Sequence, residues 1–82
     1  MTWSFEVTAA AQERLLSRIL LALDQQRVFI HSFTGELDET ESRVVFKFSS
    51  EQDKAYRIRA LLCRLEPVKS VVVTHIGYAA VR

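Results

Sequence analysis

Apolar and polar residues alternate at the start of the chain in the way typical of a β-strand with one buried face. The alternating apolar residues are Trp3, Phe5 and Val7. Because side chains repeat with a period of two along a strand, all three lie on the same side. The polar residues at positions 4, 6 and 8 then face the other side. We therefore expect the first element to be a half-buried strand.

Leucine and isoleucine then recur at helical spacing. The stripe consists of Leu16, Ile19, Leu20 and Leu23. Residues three and four apart share one face of an α-helix, so the pattern predicts an amphipathic helix that begins within residues 9–12 and ends near Gln26. A stripe of this kind needs a sheet to cover it.

Two further extended segments follow, at residues 28–34 and 43–48. In the first, the apolar pattern breaks at His31 and Ser32, and a β-bulge there would return Phe33 to the buried face. The second places three apolar residues at alternate positions, Val44, Phe46 and Phe48. The acidic segment between them, residues 35–42, is predicted to be a solvated hairpin loop.

A second helix is predicted over residues 50–65, where Ser50 and Asp53 resemble a capping box. Pro67 ends this helix and leads into a β-branched run over residues 68–76, the last predicted strand. The element order is therefore β-α-β-β-α-β, the split βαβ or ferredoxin-like motif.

This order predicts an α+β fold, a ferredoxin-like βαββαβ sandwich. Right-handed crossovers place both helices on one face of a four-stranded antiparallel sheet with strand order 4-1-3-2. Residues 1–82 are expected to form a single domain. The expected core residues are Leu16, Ile19, Leu23, Phe46, Phe48, Ile58, Leu62 and Val71.

Composition narrows the classes of function. The formal net charge is only +1, which argues against a nucleic-acid partner. The apolar runs are too short to span a membrane, and the N-terminus lacks the pattern of a signal peptide. Cys63 is the only cysteine, so no intrachain disulfide is expected. We interpret Cys63 as a small buried hydrophobic residue of a cytoplasmic protein.

The sequence contains no arrangement of residues that indicates catalysis or cofactor binding. Gly35 and Gly77 are isolated, so no glycine-rich phosphate loop is present. His31 and His75 belong to the second and fourth strands, which lie at opposite edges of the predicted sheet. They therefore cannot converge on a metal within one chain. We expect a non-enzymatic protein with no catalytic residue, no metal site and no cofactor.

The acylphosphatases are small enzymes with this topology, and they use an arginine in a phosphate-binding loop and an asparagine that orients water. The chain contains no asparagine. A small acylphosphatase-like enzyme is therefore the less favoured alternative.

Three segments resemble the ACT domain family, and more closely the short regulatory small subunits of acetolactate (acetohydroxyacid) synthase. The segments are Leu16-Ser17-Arg18-Ile19, Ile30-His31-Ser32-Phe33-Thr34 and Leu65-Glu66-Pro67-Val68-Lys69-Ser70-Val71. The resemblance covers residues 3–74. It implies a single ACT-like domain with the fold predicted above.

The resemblance also implies where a ligand would bind. ACT domains that bind an amino acid commonly carry Pro-Gly before the first helix, and an asparagine in the second strand reaches the ligand from a neighbouring subunit. The aligned positions here are Glu13, Arg14 and Phe29. The candidate ligand-binding residues are Ala10, Ala11, Gln12, Glu13, Arg14, Phe29 and Ile30. Because these departures remove polar contacts, we expect free valine to bind weakly or not at all.

The function implied by the resemblance is that of a non-catalytic regulatory or stabilising small subunit of a branched-chain amino-acid biosynthetic enzyme. Its implied partners are the large catalytic subunit of a thiamine-diphosphate-dependent synthase and a small amino acid. The alternative is a free-standing ACT homodimer that senses a small metabolite.

A homodimer is also expected from the second strand itself. In order 4-1-3-2 this strand is an edge, and residues 28–34 contain no lysine, proline or acidic residue to block strand addition. The expected dimer edge comprises Val28, Phe29, Ile30, His31 and Ser32. The fourth strand is the rival edge.

Overall fold

The computed structural model describes residues 1–76 and contains six regular elements. They are β1 (Thr2–Ala10), α1 (Leu15–Gln25), β2 (Phe29–Leu37), β3 (Glu41–Ser49), α2 (Gln52–Cys63) and β4 (Val68–Ile76). The sheet order is β2-β3-β1-β4, and every neighbouring pair is antiparallel. The predicted fold class and strand order are confirmed. The predicted domain extends over residues 77–82, which lie outside the described residues.

The core lies between the helices and one face of the sheet. Along β1, buried and half-buried residues alternate, as the period-two pattern predicts. The buried apolar residues are Trp3, Phe5, Val7, Ala9, Leu15, Ile19, Leu23, Val44, Phe46, Phe48, Ala55, Ile58 and Leu62. Within residues 1–76, neither helix is long and apolar enough to cross a bilayer.

Two predicted core residues lie at the margin of this core. Leu16 and Val71 are only partly buried and pack against it. Leu15 takes the central place expected of Leu16, because Leu15, Ile19 and Leu23 are spaced by four and face the sheet. Leu20, assigned to the buried stripe, is 41% exposed.

Several element boundaries differ from the prediction. Ala9 and Ala10 belong to β1, and the first helix starts only at Leu15. Most of residues 35–42 is strand, and the turn is confined to residues 38–40. Tight pairing of β2 with β3 satisfies backbone groups that a longer loop would leave to solvent.

The β-bulge in β2 is confirmed. The register with β3 shifts between Ile30 and Ser32, so His31 is the extra residue. Phe33 thereby returns to the helix-covered face, where its ring stacks 5.9 Å from that of Phe46.

Two interpretations in the second helix are wrong. The capping box does not form, since Glu51 is the N-cap without a side-chain bond and the Ser50 hydroxyl donates to the Glu51 carbonyl. Cys63 is exposed. One residue corresponds to about 100° of rotation around a helix, so Cys63 turns away from the sheet directly after the buried Leu62.

Candidate functional site

The turn between β1 and α1 is held by backbone hydrogen bonds from two neighbouring loops. The Ala10 N–H donates to the Pro67 carbonyl at 2.8 Å, and the Ala11 N–H donates to the Thr40 carbonyl at 3.1 Å. The α2–β4 loop and the β2–β3 hairpin therefore fix where this turn starts. Three of the chain's connections meet at this end of the sheet.

Arg14 ends the turn in an unusual backbone conformation. It is the N-cap of α1 and has φ 69° and ψ 0°, in the left-handed region. That region favours glycine, because a Cβ atom crowds the following carbonyl there. A glycine would adopt this conformation without that crowding, so Arg14 stands where the backbone geometry favours glycine.

A shallow cavity of about 340 Å³ lies beside this turn. It is lined by Ala10, Ala11, Gln12, Glu66 and Pro67. The first three are predicted site residues, whereas Glu66 and Pro67 are additional. Topology could have predicted Glu66 and Pro67 as lining residues, since a fourth strand antiparallel to β1 must begin where β1 ends. The cavity is open to solvent, so a small ligand there would stay partly exposed.

The structure does not bring the two halves of the predicted ligand site together within one chain. Phe29 pairs with Ser49, which also pairs with Thr2 at the start of β1. Ala10 lies at the other end of β1, about 26 Å away along the strand. Phe29 and Ile30 can therefore meet the β1–α1 turn only if they come from another copy.

The exposed edge of β2 carries an ordered aromatic pair. Phe29 is 71% exposed, and its ring centroid lies 5.0 Å from that of His31. His31 Nε2 and Ser49 Oγ are hydrogen-bonded at 2.6 Å.

His75 lies on β4, where its ring is 4.8 Å from the Trp3 ring. The two histidines occupy opposite edges, as expected, and residues 1–76 contain no group of three potential metal ligands.

The β2–β3 hairpin is acidic and is stabilised by one carboxylate. Asp38 Oδ1 accepts hydrogen bonds from the Thr40 N–H at 2.8 Å, the Glu41 N–H at 2.7 Å and the Thr40 hydroxyl at 3.3 Å. The backbone bonds from Glu41 and Thr40 hold the pKa of the Asp38 carboxyl below its usual value. This carboxylate therefore fixes Thr40, whose carbonyl supports the β1–α1 turn.

The face of the sheet opposite the helices carries an exposed ion pair. Arg43 Nε donates to Glu6 Oε2 at 2.9 Å. This hydrogen bond, together with Coulomb attraction from Glu6, raises the pKa of Arg43 above its usual value.

A cavity of about 360 Å³ beside the hairpin is lined by Glu36, Leu37, Asp38, Glu41, Ser42 and Arg43. Within residues 1–76 the buried Ser42 hydroxyl has no hydrogen-bond partner.

Comparisons of sequence give no match: no protein-family model fits the chain, and no curated protein matches it. Comparisons of structure do. The ACT domain of the GTP pyrophosphokinase of Chlorobium tepidum superposes with a TM-score of 0.82 at 11% identity, covering 90% of this chain and 97% of that one.

Two larger enzymes contain a similar unit. A formyltetrahydrofolate deformylase from Pseudomonas putida gives a TM-score of 0.78 at 15% identity, over 93% of this chain and 29% of the enzyme. A homoserine dehydrogenase from Thiobacillus denitrificans gives 0.71 at 14% identity, over 88% and 16% respectively. At such low identity the likeness concerns the fold alone. The chain has the fold of an ACT domain.

Proposed function

We propose that the chain is a non-catalytic, ACT-like regulatory or stabilising small subunit of a branched-chain amino-acid biosynthetic enzyme of the acetolactate synthase type. The fold supports the ACT-like part of this proposal, because nine-tenths of the chain superposes on an ACT domain. The three segments that resemble acetolactate synthase small subunits support the finer part. The Arg14 backbone, with φ 69°, is the observation that carries it, since the resemblance aligns Arg14 with a glycine and the backbone there has a conformation that favours glycine.

The absence of a catalytic arrangement in the described residues supports a binding role. The nearest approach to a nucleophile and its base is His31 with Ser49, at 2.6 Å. His31 is exposed on a strand edge, and catalysis of this kind needs a third group that orients the imidazole. With no asparagine in the sequence, the acylphosphatase-like alternative also lacks its water-orienting residue.

The proposed working form is cytoplasmic and self-associated. A second copy would contact Phe29, Ile30, His31 and Ser32 on the β2 edge, together with Val28, which directly precedes the strand. Strand addition there would pair backbone groups on the outer side of β2, for which residues 1–76 of the same chain provide no neighbouring strand. The large catalytic subunit of a thiamine-diphosphate-dependent synthase is the proposed partner.

A free-standing ACT homodimer that senses a small metabolite is the second candidate. The cavity of about 340 Å³ beside the β1–α1 turn favours it, because a small molecule would fit there without a catalytic subunit.

Co-purification from the native cell tests the first proposal. The tagged chain should recover the large synthase subunit and change its activity when added back to the purified enzyme. An untagged chain in the same cells is the control for non-specific capture. Recovery of the chain alone, with no effect on synthase activity, would overturn the small-subunit role. A ligand-dependent rise in thermal stability of the chain alone would then support the metabolite sensor.

A further inference from the structure

The sheet has two edges that run in compatible directions. Strands β1 and β2 point one way and β3 and β4 the other, because all neighbours are antiparallel in the order β2-β3-β1-β4. If a second copy is placed beside the first by translation, its β2 lies antiparallel to β4 of the first. The same face of both sheets then carries the helices, and the sheet continues without a break.

We propose that copies of this chain associate head to tail, with β2 of one copy added to β4 of the next. This refines the β2-edge association proposed above by naming the surface that meets β2. It excludes a two-fold dimer through two β2 edges, because each β2 has only one free side.

Length and bulge positions support this pairing. Both strands have nine residues and span the same height of the sheet. His31 is the extra residue in β2, and the register of β4 with β1 shifts by one residue at Lys69. When residues are matched by the face they occupy, the β2 and β4 partners are Phe29 with Ile76, Ile30 with His75, Ser32 with Thr74, Phe33 with Val73, Thr34 with Val72, Gly35 with Val71, Glu36 with Ser70 and Leu37 with Val68.

This pairing covers apolar side chains that the single chain leaves in solvent. Phe29, Leu37 and Val72 are 71%, 55% and 56% exposed. In the head-to-tail arrangement, Phe29 meets Ile76 and Leu37 meets Val68. Cross-strand apolar pairs of this kind are a main source of sheet stability. The two β-bulges are accommodated without turning any apolar residue to the wrong face.

Charge distinguishes the two edges. Residues 52–76, which comprise α2, β4 and their connection, contain five basic residues and two acidic residues. The basic residues are Lys54, Arg57, Arg59, Arg64 and Lys69, and the acidic residues are Asp53 and Glu66. Residues 35–42, at the end of β2, contain four acidic residues and no basic residue; the acidic residues are Glu36, Asp38, Glu39 and Glu41.

The acidic hairpin and the start of β4, with Lys69, lie at the same end of the sheet. Val68, at the start of β4, pairs with Ala9, and Ala10 pairs with Glu41. Translation of one copy therefore places Glu36 opposite Ser70 of its neighbour, directly next to Lys69. A two-fold pairing of β2 with β2, centred on Phe33, would instead set Glu36 against Phe29. Electrostatic complementarity thus favours β4 over a second β2 as the surface that receives β2.

Disulfide trapping tests the arrangement directly. In a Cys63→Ser background, one copy carries Thr34→Cys and another carries Val72→Cys. Paired residues on adjacent strands have Cα atoms about 5 Å apart, within reach of a disulfide. Within one chain these positions are three strand spacings apart, about 14 Å, so no internal bond can form. Mixing the two variants under mild oxidation should give a covalent heterodimer, and a chain carrying both cysteines should give a ladder of multimers.

Matched mixtures identify the rival arrangements. Ser32→Cys mixed with Thr34→Cys should stay uncrosslinked, since those positions meet only in a two-fold β2 dimer. Val72→Cys alone should also stay uncrosslinked, since a disulfide between two copies of this variant would report pairing of two β4 edges. Cross-linking in either control but not in the Thr34–Val72 mixture would overturn the proposal, as would an absence of cross-links in all three. Cross-linking measures self-association alone. A failure of cross-linking would therefore not test the small-subunit role, which co-purification tests separately.

A charge-reversal pair supplies an independent readout. Glu36→Lys or Lys69→Glu alone should lower the yield of the Thr34–Val72 cross-link about three- to fivefold at low salt, and the two reversals on opposite copies should restore it. High salt should reduce the difference, because it screens exposed charges. Reversals that lower the yield without mutual rescue would show that these side chains do not face each other, and would overturn the register.

Discussion

Two arginines adopt backbone conformations that favour glycine. Arg14 has φ 69° and Arg27 has φ 56°, at the beginning and just after the end of α1. An L-residue in the left-handed region costs about 1–2 kcal/mol. The left-handed conformation occurs at both ends of the helix because the chain changes direction there, from β1 into α1 and from α1 into β2. The left-handed residue after a helix is commonly glycine for the same reason.

Arg14→Gly and Arg27→Gly are each expected to stabilise the protein by about 0.5–1 kcal/mol, because relief of backbone crowding exceeds the extra entropy that glycine gains on unfolding. Urea denaturation of the purified variants measures this. Arg18→Gly, in the interior of α1, is the matched control and should lose about 1 kcal/mol. If all three glycine variants lost the same stability, the two arginines could not hold the conformations described.

Phe46 is the centre of the aromatic part of the core. Its ring lies 5.4 Å from that of Phe5, 5.8 Å from that of Phe48 and 5.9 Å from that of Phe33. It is fully buried, and so is Leu62 on α2. Truncation of either side chain would therefore leave a cavity that surrounding residues fill only in part.

Phe46→Ala and Leu62→Ala should each lower the free energy of unfolding by about 2–5 kcal/mol. Thermal and chemical denaturation both report this loss. Leu21→Ala provides the control, since Leu21 is 57% exposed and its truncation should cost less than about 0.5 kcal/mol. A loss of only a few tenths of a kcal/mol at Phe46 would contradict its place in the core.

At the scale of the elements, strand patterns were easier to interpret than helix ends. Alternation along β1 and β3 specifies which face is buried, because a one-residue slip would turn Phe5 and Phe46 to solvent. The bulge at His31 could be predicted for the same reason. The start of α1 could not, since Ala9 and Ala10 suit a helix by intrinsic propensity and join β1 only through pairing with β3 and β4.

The β2–β3 hairpin depends on Asp38, whose carboxylate accepts three hydrogen bonds. Because its folded-state pKa lies below the usual value of 3.8, the ionised form favours the folded state. This stabilisation is present in full above that value and is lost as pH falls through the lower folded-state pKa. Asp38→Ala should therefore be less stable than the parent at neutral pH, and the difference should shrink below the usual value.

Urea midpoints measured from neutral to acidic pH would show this convergence. Glu39→Ala, which removes a carboxylate from the same turn but none of the three hydrogen bonds, is the matched control and should follow the parent. A constant difference between Asp38→Ala and the parent across this range would mean that the ionised carboxylate does not favour the fold.

At the scale of the whole molecule, topology could be predicted from the sequence and the candidate site only in part. Few sheet arrangements are compatible with the order of strand and helix patterns along the sequence, so β2 and β4 could be placed at the edges. Ala10, Ala11 and Gln12 do line a cavity. Glu66 and Pro67 also line it, because they directly precede β4, which pairs with β1. This contact is long-range in sequence, so no local pattern predicts it. Phe29 and Ile30 lie at the far end of the sheet, because β2 begins beside the end of β3, where Phe29 pairs with Ser49.

Free valine is expected to bind weakly or not at all. The resemblance to ACT domains aligns Glu13 and Arg14 with their Pro-Gly pair and Phe29 with their asparagine. The polar contacts that such domains make with an amino acid are therefore not expected here. The head-to-tail arrangement adds a second reason, because it places Phe29 beside Ile76 of the neighbouring copy, at the opposite end of the sheet from that copy's β1–α1 turn. Isothermal titration calorimetry with valine, leucine and isoleucine measures the outcome. The double variant Arg14→Gly with Phe29→Asn is the matched comparison. It should show no heat of binding if copies associate head to tail. It should show heat of binding if copies pair through two β2 edges. A micromolar isotherm for any of the three amino acids with the parent chain would contradict the expectation and show that other groups at the turn replace the missing contacts.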